Sequence, residues 1–227
     1  VSSGFNNKTI IYIDENKSGN LLLGTYENGL MVYNKKSNRF YSYQNDPKEP
    51  GSIGDNIVND ICVDRSGLIW IGTWNDGLNK INPNRKFDHY KNNPLNSNSV
   101  SGNFITALCE DKDGYLWIGT DQKGLNRFDP KNGIFTHFKN DPNNIYSITS
   151  DKIADIEEDK EGNLWIAIDG EGFCKYDKKN NRFSRFKYDP NDKNSLPCDQ
   201  ISVIVEQKNG NLLIGTIGGG LLDFNKK

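Results

Sequence analysis

Gly114–Asp129 reads GYLWIGTDQKGLNRFD, and something close to it recurs along the chain. Gly67–Asn82 (GLIWIGTWNDGLNKIN) precedes it and Gly162–Asp177 (GNLWIAIDGEGFCKYD) follows, with weaker copies at Gly19–Asn34 (GNLLLGTYENGLMVYN) and Gly210–Asn225 (GNLLIGTIGGGLLDFN). The leading glycines Gly19, Gly67, Gly114, Gly162 and Gly210 are spaced by 48, 47, 48 and 48 residues. A period of that length marks propellers and other repeat architectures, in which each unit buries its apolar face only by stacking on its neighbours.

Each period resolves into four strand-like pieces separated by turn signals. In the first piece, Ile10, Val58, Ile105, Ile153 and Ile201 share one core register, and Ile13, Ile61, Leu108, Ile156 and Ile204 share another. Small or polar residues lie between them (Asn59, Thr106, Ala154, Ser202), as suits an inner strand crowded near a common axis. A turn ending in glycine leads to the second strand, where Gly24, Gly72, Gly119 and Gly215 recur with Ala167 as the substitute. A neighbouring sheet that approaches closely would exclude a larger side chain there. The fourth piece carries aromatics spaced by three (Phe40 with Tyr43, Phe87 with Tyr90, Phe135 with Phe138, Phe183 with Phe186), followed by Asx-Pro and, five residues on, a serine: turn chemistry. The expected fold is therefore all-β, a β-propeller of five four-stranded blades of about 48 residues. The last blade lacks its outer strand. Residues 1–9 align with the link that follows a fourth strand, so 1–227 reads as one propeller domain or as a fragment of a larger propeller.

The pattern I-x-x-I-x-x-D-x-x-G-x-L-W-I-G-T, then G-L, then F-D, resembles the two-component regulator propeller repeat over essentially the whole chain. Trp70, Trp117 and Trp165 fall on its tryptophan, Leu22 and Leu213 replace it in the outer copies, and Ile168 replaces its threonine in the fourth. The resemblance implies the ligand-sensing ectodomain of a bacterial hybrid two-component sensor, extracytoplasmic and often glycan-sensing. Members of that family usually carry more than five repeats, so further blades or self-association are implied partners.

Composition narrows the function. Apolar residues make up 34% of the chain, mean hydropathy is −0.74 and net charge is −2, which offers no basic surface for a phosphate backbone. No apolar run is long enough to span a bilayer, and no signal peptide is evident. The four cysteines form no disulfide pattern; Cys62 and Cys109 share a position that carboxylates also take, and read as small buried hydrophobes. His89 and His137 read as solvent-facing, and without a Cys/His cluster no metal, cofactor or catalytic residue is expected.

Asp60 and Asp155 share an inner-strand position and are either a carboxylate pair for acid/base work or a cation, or solvated channel and turn-binding residues. Asp64, Asp111 and Asp159, three before the turn glycine, cap the hairpin, and the three strand tryptophans pack the blades. Trp74 is different, because it lies in the loop TWNDG where other copies read TYENG, TDQKG, IDGEG and TIGGG. That loop and the link into the next inner strand emerge at one end of a propeller. The expected ligand-binding residues are Trp74, Asn75, Tyr26, Asp121, Gln122, Asp169, Asn103 and Asp151, a mixture of aromatic, amide and carboxylate that suits a glycan or another polar ligand. A non-catalytic ligand sensor is the leading expectation, and a protein–protein interaction scaffold without a small ligand is the alternative.

Overall fold

Short apolar triplets punctuated by glycine turns leave no helical periodicity. In the computed structural model, which describes residues 8–81 and 86–226, every helix or strand element among the described residues is a strand. Most of the link at 1–9 therefore lies outside the described residues. The chain divides into two compact units, Val1–Leu108 and Cys109–Lys227.

In the first unit, β1 (Ile10–Glu15), β2 (Leu21–Thr25), β3 (Leu30–Asn34) and β4 (Arg39–Tyr43) form one sheet in sequence order. A second sheet contains β5 (Val58–Val63), β6 (Ile69–Thr73), β7 (Leu78–Ile81) and β8 (Phe87–Tyr90). The boundary falls within β9 (Ile105–Glu110), whose sheet continues with β10 (Leu116–Thr120), β11 (Leu125–Asp129) and β12 (Ile134–Phe138). The second unit adds β13 (Ile153–Glu158), β14 (Leu164–Ile168), β15 (Phe173–Asp177) and β16 (Arg182–Phe186), then a three-stranded sheet of β17 (Ile201–Glu206), β18 (Leu212–Thr216) and β19 (Gly220–Phe224). Pairing is antiparallel, so the five sheets are the expected propeller blades, the last with three strands.

Stacking of blades builds the core in parcels. One, in the first unit, joins Leu22, Leu30, Ile53, Val58, Ile61, Ile71 and Phe87; another, in the second, joins Trp165, Phe173, Leu196, Ile201, Ile204 and Leu212. The recurring glycine of the second strand marks close approach: a Cβ on Gly72 would stand 2.6 Å from Ile105 Cγ2. The links contribute a row that sequence reasoning missed, since Ile53, Val100, Ile148 and Leu196 are all buried. Each directly follows the link serine, whose hydroxyl accepts the N–H of the Asx residue (Asp46, Asn93, Asp141 or Asp189) at 2.9–3.0 Å.

Trp70, Trp117 and Trp165 are 1%, 0% and 1% exposed. Each indole Nε1 donates to the aspartate six residues earlier, Asp64, Asp111 and Asp159, at 3.0, 2.8 and 2.8 Å. The other oxygen of each carboxylate accepts backbone N–H groups of the hairpin, such as Leu68 at 2.8 Å. One side chain thus caps the turn and fixes the ring. Where leucine replaces tryptophan, at Leu22 and Leu213, the aspartate is also gone, replaced by Asn16 and Gln207. In the second unit a lysine joins this latch from the following blade: Lys178 Nζ lies 2.9 Å from Asp111, and Lys226 Nζ 2.8 Å from Asp159. Burial works against the Asp159 carboxylate, but bonds from Lys226, Trp165 and Asn163 outweigh it and hold its pKa well below the usual range.

Candidate functional site

The loop between the second and third strands is closed by a threonine. Thr73 Oγ1 donates to Gly77 O at 2.9 Å and accepts the N–H of Asp76 at 3.2 Å; Thr25 does the same for Gly29 and Asn28. Loop ends are thereby fixed while the intervening side chains are free to differ. The link into the next blade is tied to the same loop, because the loop glycine donates to a link carbonyl in each case: Gly29 to Asn56, Gly77 to Asn103, Gly124 to Asp151, Gly172 to Asp199. Loop and link therefore do share one end of each blade.

Asn103 and Asp151 have structural work there. Their side-chain oxygens accept the N–H of Asn92 and Asn140, each at 2.7 Å, and Asn56 and Asp199 repeat the bond. The residue equivalent to them in the last link is Asp199. In the second unit Asp169 and Gln122 are exposed and Asp121 is half-buried; Gln122 sits at φ 62°. In the first unit Tyr26 and Asn75 are exposed, and Asn75 N–H donates to Asp55 Oδ2 at 2.9 Å.

Trp74 remains 38% exposed although its ring stacks on Phe104, with centroids 4.2 Å apart and planes 29° off parallel. Phe104 belongs to the link entering β9, so the indole is braced from one side and reaches solvent elsewhere. Two expectations need correction nearby. His89 is half-buried, with Nδ1 3.3 Å from Asp76 Oδ2, while Lys91 pairs with the other oxygen of the same carboxylate. A loop residue reaches it across the strands, which no local pattern announces. Cys62 and Cys109 are half-buried rather than buried; of the four cysteines only Cys174 is enclosed.

Asp60 and Asp155 are neither a solvated pair nor turn ligands. Register slips on the inner strands, between Val58 and Asp60 and between Ile153 and Asp155, form bulges that turn these side chains toward the following inner strand. Asp60 accepts the N–H groups of Ile61 (2.7 Å) and Leu108 (2.6 Å), and Asp155 those of Ile156 (2.9 Å) and Ile204 (2.7 Å). Burial pushes the Asp155 pKa up to about 6 despite these bonds. A folded pKa above the unfolded value favours the protonated form, so this group adds stability as pH falls from about 6 toward 3.8. Asp64, Asp111 and Asp159, held low, oppose it only below the ordinary carboxylate range. Asp155→Asn is expected to flatten the rise of melting temperature between about pH 6 and 4. Parallel pH–melting curves of the two proteins would contradict this.

Residues 52–75 and 99–122 match the model of the two component regulator propeller family. Those two stretches are similar to that family's repeat. Each matched repeat runs from the link serine through the inner and second strands and ends in the variable loop, at Asn75 and Gln122. Among solved structures, the extracellular domain of a hybrid two component system of B. thetaiotaomicron is similar at 26% identity and TM-score 0.83, over 98% of this chain and 29% of that one. PorZ, a surface component of the type-IX secretion system of Porphyromonas gingivalis, gives 20% identity and TM-score 0.72 over 99% and 34%. Virginiamycin B lyase of Staphylococcus aureus gives 14% and 0.69 over 99% and 72%. At those last two identities the likeness is one of fold. The chain thus spans about a third or less of the length of the first two. No curated protein matches it. Among the described residues no helix is long and apolar enough to cross a membrane, and no three metal-ligating side chains cluster.

Proposed function

We propose that this chain is a ligand-sensing part of a bacterial signal-transduction receptor, located outside the cytoplasm, and that it recognises a carbohydrate or similar polar ligand without catalysing a reaction. The likeness to an extracellular sensor domain supports the receptor reading. Trp74 carries the ligand reading. It is a half-exposed indole at a loop position that the repeat leaves free, held on Phe104 at low entropic cost. A pyranose face would stack on such a ring, and Asn75 beside it would hydrogen-bond hydroxyls. Neutral hydrogen bonds add only about 0.5–1.5 kcal/mol each, so the ring dominates.

A glycan panel screened by thermal shift tests the reading, because a ligand bound only to the folded state raises the melting temperature. For a glycan so identified, Trp74→Ala should weaken binding at least about tenfold, roughly 1.4 kcal/mol. The lost Phe104 stack is worth about 0.5–1.5 kcal/mol, so the variant should melt only a few degrees lower. A panel without any shift would favour the interaction scaffold, and unchanged affinity in the variant would move the ligand elsewhere.

A further inference from the structure

In the second, third and fourth blades one cross-strand row pairs each tryptophan with a cation: Trp70 with Lys80, Trp117 with Arg127, Trp165 with Lys175. The cation lies over the ring at 5.5, 5.9 and 5.2 Å, and the indole N–H is held by the aspartate of the latch. In the first blade all three positions differ together, with Asn16, Leu22 and Val32 in place of aspartate, tryptophan and cation, and Leu22 paired to Val32. The bulk of an indole and a long basic side chain is missing from that row.

A cleft of about 330 Å³ opens there, entirely within the first unit. Asn16, Leu22, Val32 and Tyr41 line it from one blade and Ile69 and Ile81 from the next. Small-molecule sites begin at about this size, near 300 Å³. Asn16 Oδ1 accepts the N–H groups of Ser18 and Asn20 at 3.0 and 3.1 Å, as the aspartates do in their hairpins. That fixes the amide's orientation and puts Nδ2 where those aspartates offer the oxygen that takes the indole proton. The first blade presents a donor where the second, third and fourth present an acceptor. Tyr41, 48% exposed, gives the cleft an aromatic edge toward solvent.

We propose that this cleft binds a small flat aromatic molecule bearing a hydrogen-bond acceptor, whose ring takes the place of the missing tryptophan and whose acceptor meets Asn16 Nδ2. The half-buried Val32, Ile69 and Ile81 supply the apolar surface, over a floor formed by the enclosed Leu22, and the amide supplies the polarity of recognition. The site is independent of Trp74 and of any glycan.

Quinoline and indole test it, being of nearly one shape with opposite polarity at nitrogen. Quinoline should raise the melting temperature of the chain and bind at least about tenfold more tightly than indole in a calorimetric titration, the worth of one satisfied against one unsatisfied hydrogen bond. Leu22→Trp should fill the cleft and abolish the binding, and Asn16→Asp should reverse the preference toward indole. No shift with quinoline, undiminished quinoline binding in Leu22→Trp, or the same preference in Asn16→Asp as in the parent would each overturn the proposal.

Discussion

Trp117→Ala should cost about 3–5 kcal/mol, the range for removing a large buried aromatic. The indole is fully enclosed and its ring meets those of Phe138 and Tyr176 at centroid distances of 5.4 and 5.3 Å. Truncation leaves a cavity among rigid strands that cannot collapse into it. It also strips Asp111 of the N–H at 2.8 Å, although Lys178 continues to neutralise the carboxylate. Trp117→Phe separates the contributions, since it keeps most of the apolar volume and loses the donor, at about 1–3 kcal/mol. Urea midpoints of the two variants and the parent give both values. Equal losses would assign the whole effect to the hydrogen bond, and a loss under about 1 kcal/mol for the alanine variant would refute the latch.

Gly172→Ala should be the next most damaging change. Its φ is +75°, where an L side chain is strained, and a Cβ would fall 2.1 Å from the backbone oxygen of Phe186. Strain alone costs about 1–3 kcal/mol, and the clash with a strand carbonyl that cannot swing away adds to it. Gly133→Ala is the control, because φ is +68° there but nothing lies within 4 Å of the added carbon. The Gly172 variant should therefore unfold at clearly lower denaturant than the Gly133 variant. Coincident midpoints would mean that only the backbone conformation matters and that the loop does not press on the outer strand.

Much of this architecture is written in the repeat. The spacing of the glycines and the recurrence of Ile61, Leu108, Ile156 and Ile204, all buried, place blades and strands, because both follow from local turns and from one apolar face; Ile13, expected in the same core register, is instead 57% exposed on β1. Capping by Asp64, Asp111 and Asp159 and packing by the three tryptophans were legible separately; that one carboxylate does both was not read, although Asn16 with Leu22 and Gln207 with Leu213 lose both members together. What could not be read depends on register. The inner-strand bulges that aim Asp60 and Asp155 at the following strand have no residue signature, and the approach of Asp76 to His89 requires knowing how β7 and β8 pair. Asn103 and Asp151 illustrate a further limit: a polar side chain at a loop end looks like a ligand contact until its backbone partners at Asn92 and Asn140 are known.

The central claim is that repeated tryptophans are scaffold and that recognition sits where the repeat is left free. Hydrogen exchange of the indole N–H groups, followed in an ¹⁵N–¹H spectrum during a glycan titration, tests it directly with the four tryptophans as probes. Trp70, Trp117 and Trp165, each bonded to a buried aspartate, should be protected and unmoved by the glycan, whereas Trp74 should exchange rapidly in the free protein and shift on binding. A protected Trp74 that ignores the glycan, or a latch tryptophan that responds to it, would contradict the account.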